Sequence, residues 1–189
     1  MSTRMKRTKP LTKHLTLCAL LSGVAFTAQS EVAPDLKHTV SYGLGLSDFD
    51  LKGVSSDTGF VHNITYEYRL FDNLSVGVEY VKALSMELNT LASLGMDDFE
   101  VSYDSAFAKV KPIYVLSDHH QLYLDLGYGR FKADVTSGGF SGNKSGSALV
   151  AAAGYRYLLG DFSLGVKYQW LDLDGADAKN LMVDLGYRF

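Results

Sequence analysis

Apolar and polar residues alternate along the last nine residues of the chain, and this alternation constrains the fold more than any other feature of the sequence. Every second residue is apolar, and the residues between are mostly polar or small; the apolar ones are Leu181, Val183, Leu185, Tyr187 and Phe189. Because side chains with a period of two lie on opposite faces of a strand, the segment predicts a strand with one apolar and one polar face.

The same alternation recurs in seven segments upstream, so the sequence predicts eight strands in one all-β domain. These segments lie at residues 38–46, 60–70, 74–81, 100–116, 122–129, 149–159 and 162–170. Most contain about 10 residues, the length that crosses a bilayer at a tilt near 45°.

The predicted connections alternate between tight turns and longer loops. Turns are expected at 71–73, 117–120 and 160–161, and loops at 48–58, 84–98, 131–147 and 171–179, with a short helix at 86–94. An even number of strands with short turns at one end and longer loops at the other is typical of an antiparallel up-and-down transmembrane β-barrel of the outer membrane. Both chain termini are then expected at the short-turn, periplasmic end.

The first 30 residues predict a cleaved signal peptide, which leaves residues 31–189 as the barrel domain. Residues 1–14 contain five Lys or Arg and no acid, and residues 15–28 form an apolar run. Small residues at 28 and 30 provide the pattern that a signal peptidase recognises. The run is shorter than the roughly 20 residues of a membrane-spanning helix, and an N-terminal anchor stays the alternative. Cys18 is not expected to be lipidated, because bulky Leu17 precedes it. Losing five basic residues takes the net charge from −3 to −8, which argues against a nucleic-acid partner.

Charged residues on the polar faces distinguish a membrane barrel from a soluble one. A soluble lipocalin-like periplasmic carrier would turn them outward, whereas a membrane barrel turns them into a lumen that, with eight strands, side chains fill. Small Gly and Ser residues between the charges suit a narrow interior, so the sequence favours the membrane barrel, with the carrier as the alternative. The predicted lumen network of pairing charges consists of Glu67, Arg69, Glu79, Lys109, Lys111, Asp125, Arg156, Lys167, Asp184 and Arg188.

A proline interrupts the fourth predicted strand. Pro112 has no N–H to donate to a neighbouring strand. Since a closed barrel has no free edge strand, the sequence predicts a bulge or an early strand end at this residue.

The ending Leu185-Gly-Tyr-Arg-Phe189, the strand count and the loop asymmetry resemble the small eight-stranded outer-membrane barrels, namely the OmpA transmembrane domain and the OmpX/Ail-like proteins. The resemblance implies a monomeric barrel in contact with outer-membrane lipid and lipopolysaccharide. It also implies that Leu185, Tyr187 and Phe189 form the signal that the barrel assembly machinery of that membrane reads. Members of this group serve as structural barrels, adhesins, serum-resistance factors or narrow pores.

Lipid A-modifying enzymes are also small outer-membrane barrels, so a catalytic site must be considered. Acyl transfer needs a Ser beside a His base and an acid that orients the His. The histidines of residues 31–189 are His38, His62, His119 and His120. The last two fall in a predicted turn, and no Ser stands two residues after His62. The sequence therefore favours a non-enzymatic protein without a cofactor, and the enzyme stays an alternative.

An acid-rich turn near the C-terminus has a spacing similar to that of a calcium loop. Asp172, Asp174 and Asp177 lie close together, but the full loop and the downstream Glu of an EF-hand are missing. A solvated turn is favoured over a metal site.

The function that best fits the sequence is an envelope-structural role or a surface interaction, such as adhesion or resistance, through extracellular loops. Apolar loop residues offer a contact surface for an extracellular partner; they are Leu88, Leu91, Leu94 and Phe140. A narrow porin is a further alternative, because the same lumen charges could line an ion path.

Overall fold

The chain forms one closed antiparallel β-barrel in a computed structural model that describes residues 36–51, 54–85, 99–137 and 140–189. The strands are β1 (His38–Leu51), β2 (Val54–Phe71), β3 (Leu74–Ser85), β4 (Phe99–Ser117), β5 (His120–Ser137), β6 (Phe140–Leu159), β7 (Phe162–Asp172) and β8 (Ala176–Arg188). Each pairs with its neighbour in chain order, and β8 closes the ring on β1. The predicted strand number, order and closure are therefore confirmed. Among the described residues, no helix is long and apolar enough to cross a membrane.

Three tight turns and both ends of the barrel domain lie at the same end of the barrel. The turns separate β2 from β3, β4 from β5 and β6 from β7, as predicted. Beside them, the N–H of His38 donates to the carbonyl of Phe189 at 2.8 Å, and the N–H of Phe189 donates back at 2.9 Å. Short turns mark the periplasmic end of such a barrel, so the opposite end faces the outside.

The strands are longer than the sequence predicted, with 11 residues in β7 and 20 in β6. The predicted loops were wrong where strands continue into them: β1 reaches Leu51, β3 reaches Ser85, and only residues 138–139 separate β5 from β6. Backbone pairing needs no apolar face, so polar and Gly-rich segments can extend a ladder beyond the membrane into water. The predicted signal peptide at 1–30 and helix at 86–94 lie outside the described residues.

The interpretation of Pro112 as a bulge or an early strand end was wrong. β4 continues past it to Ser117, and Pro112 pairs with Leu74 on β3. Pairing with β5 stops at Val110 and resumes at Ile113 in the same register. The barrel thus accommodates the missing N–H by omitting two residue pairs from one ladder.

The apolar faces of the strands point outward and the charges point inward, as predicted. Leu185 is 60% exposed and Val166 is 48% exposed, whereas Lys167 is 2% and Arg156 is 7% exposed. A continuous exposed apolar belt of this kind is unfavourable in water and favourable in lipid. The soluble carrier, which requires the reverse orientation, does not fit this structure.

Candidate functional site: the barrel lumen

Eight of the ten predicted lumen charges form one connected set in the centre of the barrel. Each stands at an inward position of its strand, so the alternation that exposes the apolar belt also buries the charges. The set has four carboxylates and four cations and is electrically balanced; its members are Glu67, Glu79, Asp125, Asp184, Lys109, Lys111, Arg156 and Lys167. Balance matters here, because an unpaired buried charge costs several kcal/mol.

The part of this set nearer the tight turns is organised around Glu67. Arg156 donates to both carboxylate oxygens of Glu67, at 3.1 Å from Nη1 and 3.0 Å from Nη2, and Lys111 forms a second ion pair with Glu67. The Tyr123 ring lies below both cations, with its centroid 4.2 Å from Lys111 Nζ and 5.2 Å from Arg156 Cζ. The two-pronged hydrogen bonding and the ring hold the charges in a fixed geometry.

The central part of the set is organised around Glu79. Lys167 donates to Glu79 Oε1 at 2.6 Å, and Lys109 Nζ lies 3.0 Å from Oε2. The amides of Asn63 and Gln169 donate to the same carboxylate at 2.5 and 3.0 Å. Two cations and two amides therefore satisfy a carboxylate that has no access to water.

Asp125 connects the two parts of the set. Its Oδ2 lies 3.1 Å from Lys109 Nζ, and its Oδ1 lies 3.6 Å from Lys111 Nζ. Asp184 is more peripheral, with Oδ1 4.0 Å from Lys167 Nζ. Removing Asp125 would leave two buried lysines to share the remaining carboxylates.

The structure does not join Arg69 and Arg188 to this set. Both stand near the tight-turn end, where the lumen opens. Arg188 Nη1 donates to the carbonyl of Gly160 at 3.4 Å, and Nη1 of Arg69 has no hydrogen-bond partner among the described residues. Their inward position follows from alternation, but among the described residues neither arginine forms an ion pair with a carboxylate of the set.

An apolar plug fills the lumen on the extracellular side of the charges, and the sequence analysis missed it. Of the described residues, fifteen buried apolar side chains form this plug: Phe49, Val61, Val81, Ala83, Tyr103, Phe107, Phe131, Ala133, Ala148, Val150, Leu171, Leu173, Ala176, Ala178 and Met182. Between plug and charges, the Tyr103 hydroxyl contacts Ser47 at 3.2 Å and donates to Asn180 at 3.0 Å. The signal in the sequence was apolar residues at inward positions in the loop-side half of several strands.

The sequence also contains an internal repeat that places opposite charges at matching positions. Residues 66–80 and 155–168 both begin with Tyr-x-Tyr and end with Ser-x-Gly-Val-x-Tyr. These segments form the β2–β3 and β6–β7 hairpins, which stand on opposite walls of an eight-membered ring. Glu67 matches Arg156, and Glu79 matches Lys167. Each matched pair meets across the lumen, at 3.0 and 2.6 Å.

The charge inversion continues into the strands that follow each hairpin. Lys109 on β4 and Asp184 on β8 pair with the matched glycines of the two segments and so occupy matching positions. Lys109 lies 3.0 Å from Glu79, and Asp184 lies 4.0 Å from Lys167. These three matched pairs carry reversed signs and account for six of the eight charges. Lys111 and Asp125, which lie outside the repeat, complete the balance.

Among the described residues, the side-chain hydrogen bonds of the histidines go to tyrosines and not to serines. His62 points outward, its cross-strand neighbours are Leu44 and Lys82, and its Nδ1 has no hydrogen-bond partner in the described part of the chain. His38 and His120 are near the tight-turn end, where their Nδ1 atoms hydrogen-bond tyrosine hydroxyls at 2.7 and 2.5 Å. These two histidines contribute to the aromatic girdle at the periplasmic interface.

The acid-rich segment forms the short connection between β7 and β8. Asp172 pairs with Asp177 across it, and Asp174 lies at the tip with φ 54°. Across all described residues, no group of three or more His, Cys, Asp or Glu side chains is arranged to hold a metal ion.

The three residues of the C-terminal pattern point outward on β8. Leu185, Tyr187 and Phe189 are all exposed, and the ring centroids of Tyr187 and Phe189 are 6.0 Å apart. The ring of Phe189 also stacks on that of His38 at 5.4 Å, across the seam that closes the barrel.

Comparison with known proteins gives a family match and several similar structures. A sequence model of the family described as outer membrane protein beta-barrel domain matches residues 16–189. The crystal structure of Ail, the attachment invasion locus protein of Yersinia pestis, is 24% identical, with a TM-score of 0.63, over 82% of this chain and 99% of that chain. Neisserial surface protein A is 16% identical, with a TM-score of 0.64, over 80% and 97%. The N-terminal barrel of Pseudomonas aeruginosa OprF is 10% identical, with a TM-score of 0.52, over 79% and 97%. No curated protein matches the chain.

Proposed function

The chain belongs to the outer membrane protein beta-barrel domain family and is an outer-membrane protein, and on that premise we propose that it is a plugged, non-enzymatic barrel that acts through its extracellular end. Its role is a surface interaction, such as adhesion or resistance, or the structural support of the envelope. Outer-membrane lipid and lipopolysaccharide surround the belt, and the barrel functions as a monomer.

The closed lumen is the observation that carries this proposal. A solute that enters from the periplasmic end meets buried ion pairs around Glu67 and Glu79, and behind them the apolar plug. An ion would lose its water of hydration against side chains such as Leu171, which is buried in the plug. A lumen filled in this way argues against the narrow-porin alternative. The functional surface is then the extracellular end of the barrel.

The extracellular end provides an extended surface for a partner. β5 and β6 remain paired out to Ser137 and Phe140, well beyond the last belt residues. An extracellular partner is also supported by a second structure of Ail, which holds the heparin analogue sucrose octasulfate and has a TM-score of 0.58 to this chain. The apolar loop residues that the sequence analysis singled out at 88, 91 and 94 lie outside the described residues.

Assembly into the membrane is proposed to depend on Leu185, Tyr187 and Phe189. Their outward, exposed side chains stand on the strand that must close against β1, so an assembly factor can bind them before closure. The non-enzymatic assignment rests on the lack of a Ser beside His62 in the described register.

Two measurements test the proposed function. In planar lipid bilayers the purified protein should give no single-channel current; steady conductance would refute the plugged barrel and favour the porin. On whole cells, replacing residues 86–98 by a Gly-Ser linker of equal length should reduce binding to immobilised heparin or host cells, with the barrel still heat-modifiable on gels. Unchanged binding would refute a role for that loop.

A further inference from the structure

We propose that the outer wall of β2–β6 holds a binding site for lipid A, the phosphorylated, multiply acylated lipid anchor of lipopolysaccharide. The site consists of an apolar groove in the belt and a cationic cleft directly above it. It rests on the proposed contact of the belt with outer-membrane lipid and lipopolysaccharide, and it is separate from the lumen and from the proposed extracellular partner.

The apolar groove lies on the membrane-facing side of β2, β3 and β4. It has a volume of about 510 Å³ and is lined by Ile64, Tyr66, Val78, Tyr80, Ala106 and Ala108. The two alanines are much smaller than the tyrosines beside them, so the wall is recessed between aromatic ridges. A recess with this apolar lining, in contact with hydrocarbon, fits an acyl chain.

The cleft above the groove has a volume of about 730 Å³ and shares Tyr80 and Ala106 with it. Strand register places Tyr80, Ala106, Arg130 and Ser147 side by side on four consecutive strands. The small side chains of Ala106 and Ser147 leave room on either side of the arginine. The cleft therefore continues the groove upward and ends at a cation.

The next row of outward residues adds a second cation. Lys82, Asp104, Lys132 and Ser145 lie side by side, one step farther from the belt. Asp104 is already engaged, since it accepts from Tyr80 at 2.7 Å and lies 3.9 Å from Lys82. Its carboxylate is therefore committed to groups on the β3 side of the cleft.

Arg130 and Lys132 are left without an ionic partner among the described residues. They are the first outward residues on β5 beyond Tyr128, an aromatic residue at the edge of the belt. The tight turns at the other end make this the outer-leaflet side, so both cations stand at headgroup height. Guanidinium and ammonium groups at this height favour phosphate. Lipid A offers both phosphates and several acyl chains to a site that is half cationic and half apolar.

The test measures binding of purified lipid A to the protein extracted from outer membranes in mild detergent, by native mass spectrometry. Two variants are compared with the unaltered protein. One is the double variant that carries Arg130→Ser and Lys132→Ser, and the other is Ala106→Leu, which fills the groove. Matched controls are Lys179→Ser, an outward lysine just beyond the belt on β8, and Ala153→Leu, an outward alanine within the belt on β6. Heat-modifiability on gels verifies that every variant is folded.

We expect the double variant to bind lipid A about 25-fold more weakly, at roughly fivefold per cation, and Ala106→Leu to bind at least fivefold more weakly, with both controls unchanged. Lipid A stripped of its phosphates should bind the unaltered protein as weakly as the double variant binds lipid A. Equal loss in the controls, or no loss in either site variant, would overturn the site. If phosphatidylglycerol bound the unaltered protein as tightly as lipid A, the assignment to lipid A would be wrong.

Discussion

The ion pair between Glu79 and Lys167 can be tested by removing each charge separately and then both together. Glu79 accepts from Lys167 at 2.6 Å and lies 3.0 Å from Lys109. After Glu79→Gln, Lys109 keeps Asp125 at 3.1 Å, but the nearest carboxylate to Lys167 is Asp184 at 4.0 Å. Breaking a buried ion pair by removing one partner costs about 3–5 kcal/mol. We expect a loss of about 4 kcal/mol in the free energy of unfolding, because Lys167 loses its close partner.

Lys167→Gln should cost about 3 kcal/mol, at the lower end of the same range, because Glu79 keeps Lys109. The double variant retains three carboxylates and three cations, so the lumen is balanced again. We therefore expect it to be more stable than the sum of the single effects by about 2–3 kcal/mol, in the upper part of the range of roughly 0.5–3 kcal/mol found for coupling between residues in one network.

The assay is urea unfolding in detergent micelles, followed by tryptophan fluorescence and heat-modifiability. Lys179→Gln, at an exposed lysine on the outer face of β8, serves as the control and should change stability by less than about 0.5 kcal/mol. Additive single effects in the double variant, within about 0.5 kcal/mol, would mean that the contact across the lumen contributes no coupling. The reasoning from charge balance would then fail.

Three further predictions concern packing and assembly. Gly154→Val should lower stability by about 1–3 kcal/mol, measured by urea unfolding, because a Cβ at residue 154 would meet the Tyr123 ring; an unchanged midpoint would contradict it. Leu171→Ala should lower stability by about 2–5 kcal/mol in the same assay, since the side chain is fully buried in the plug, and a neutral effect would mean that the plug is loosely packed. Phe189→Ser should slow assembly, seen as unfolded protein in pulse-labelled cell fractions, with little change in the stability of the purified barrel; normal assembly would refute the C-terminal signal.

The direction in which each side chain faces followed from the sequence alone. In a strand, odd and even positions lie on opposite faces. Eight such strands with one apolar face each leave few arrangements other than a closed barrel, which has no free edge strand. Local alternation therefore placed Leu185 and Lys167 on opposite faces, and the small Gly and Ser residues between the charges favoured Lys167 as the inward one. The tight turns were also predictable from the sequence. Asp-Asn and Gly-Asp pairs stand between alternating segments, and these residues favour a turn through their own backbone conformation.

The partners inside the lumen were decided only by tertiary structure. Glu67 and Arg156 are 89 residues apart and meet because the register of every intervening strand pair places them at the same height on opposite walls. Odd or even position in the strand predicts an inward direction for Glu67 and Arg156. It predicts the same direction for Arg69 and Arg188, but these two stand where the lumen opens. Height along the barrel, which a period of two does not encode, separates the charged centre from the apolar plug and the belt from the cleft at Arg130.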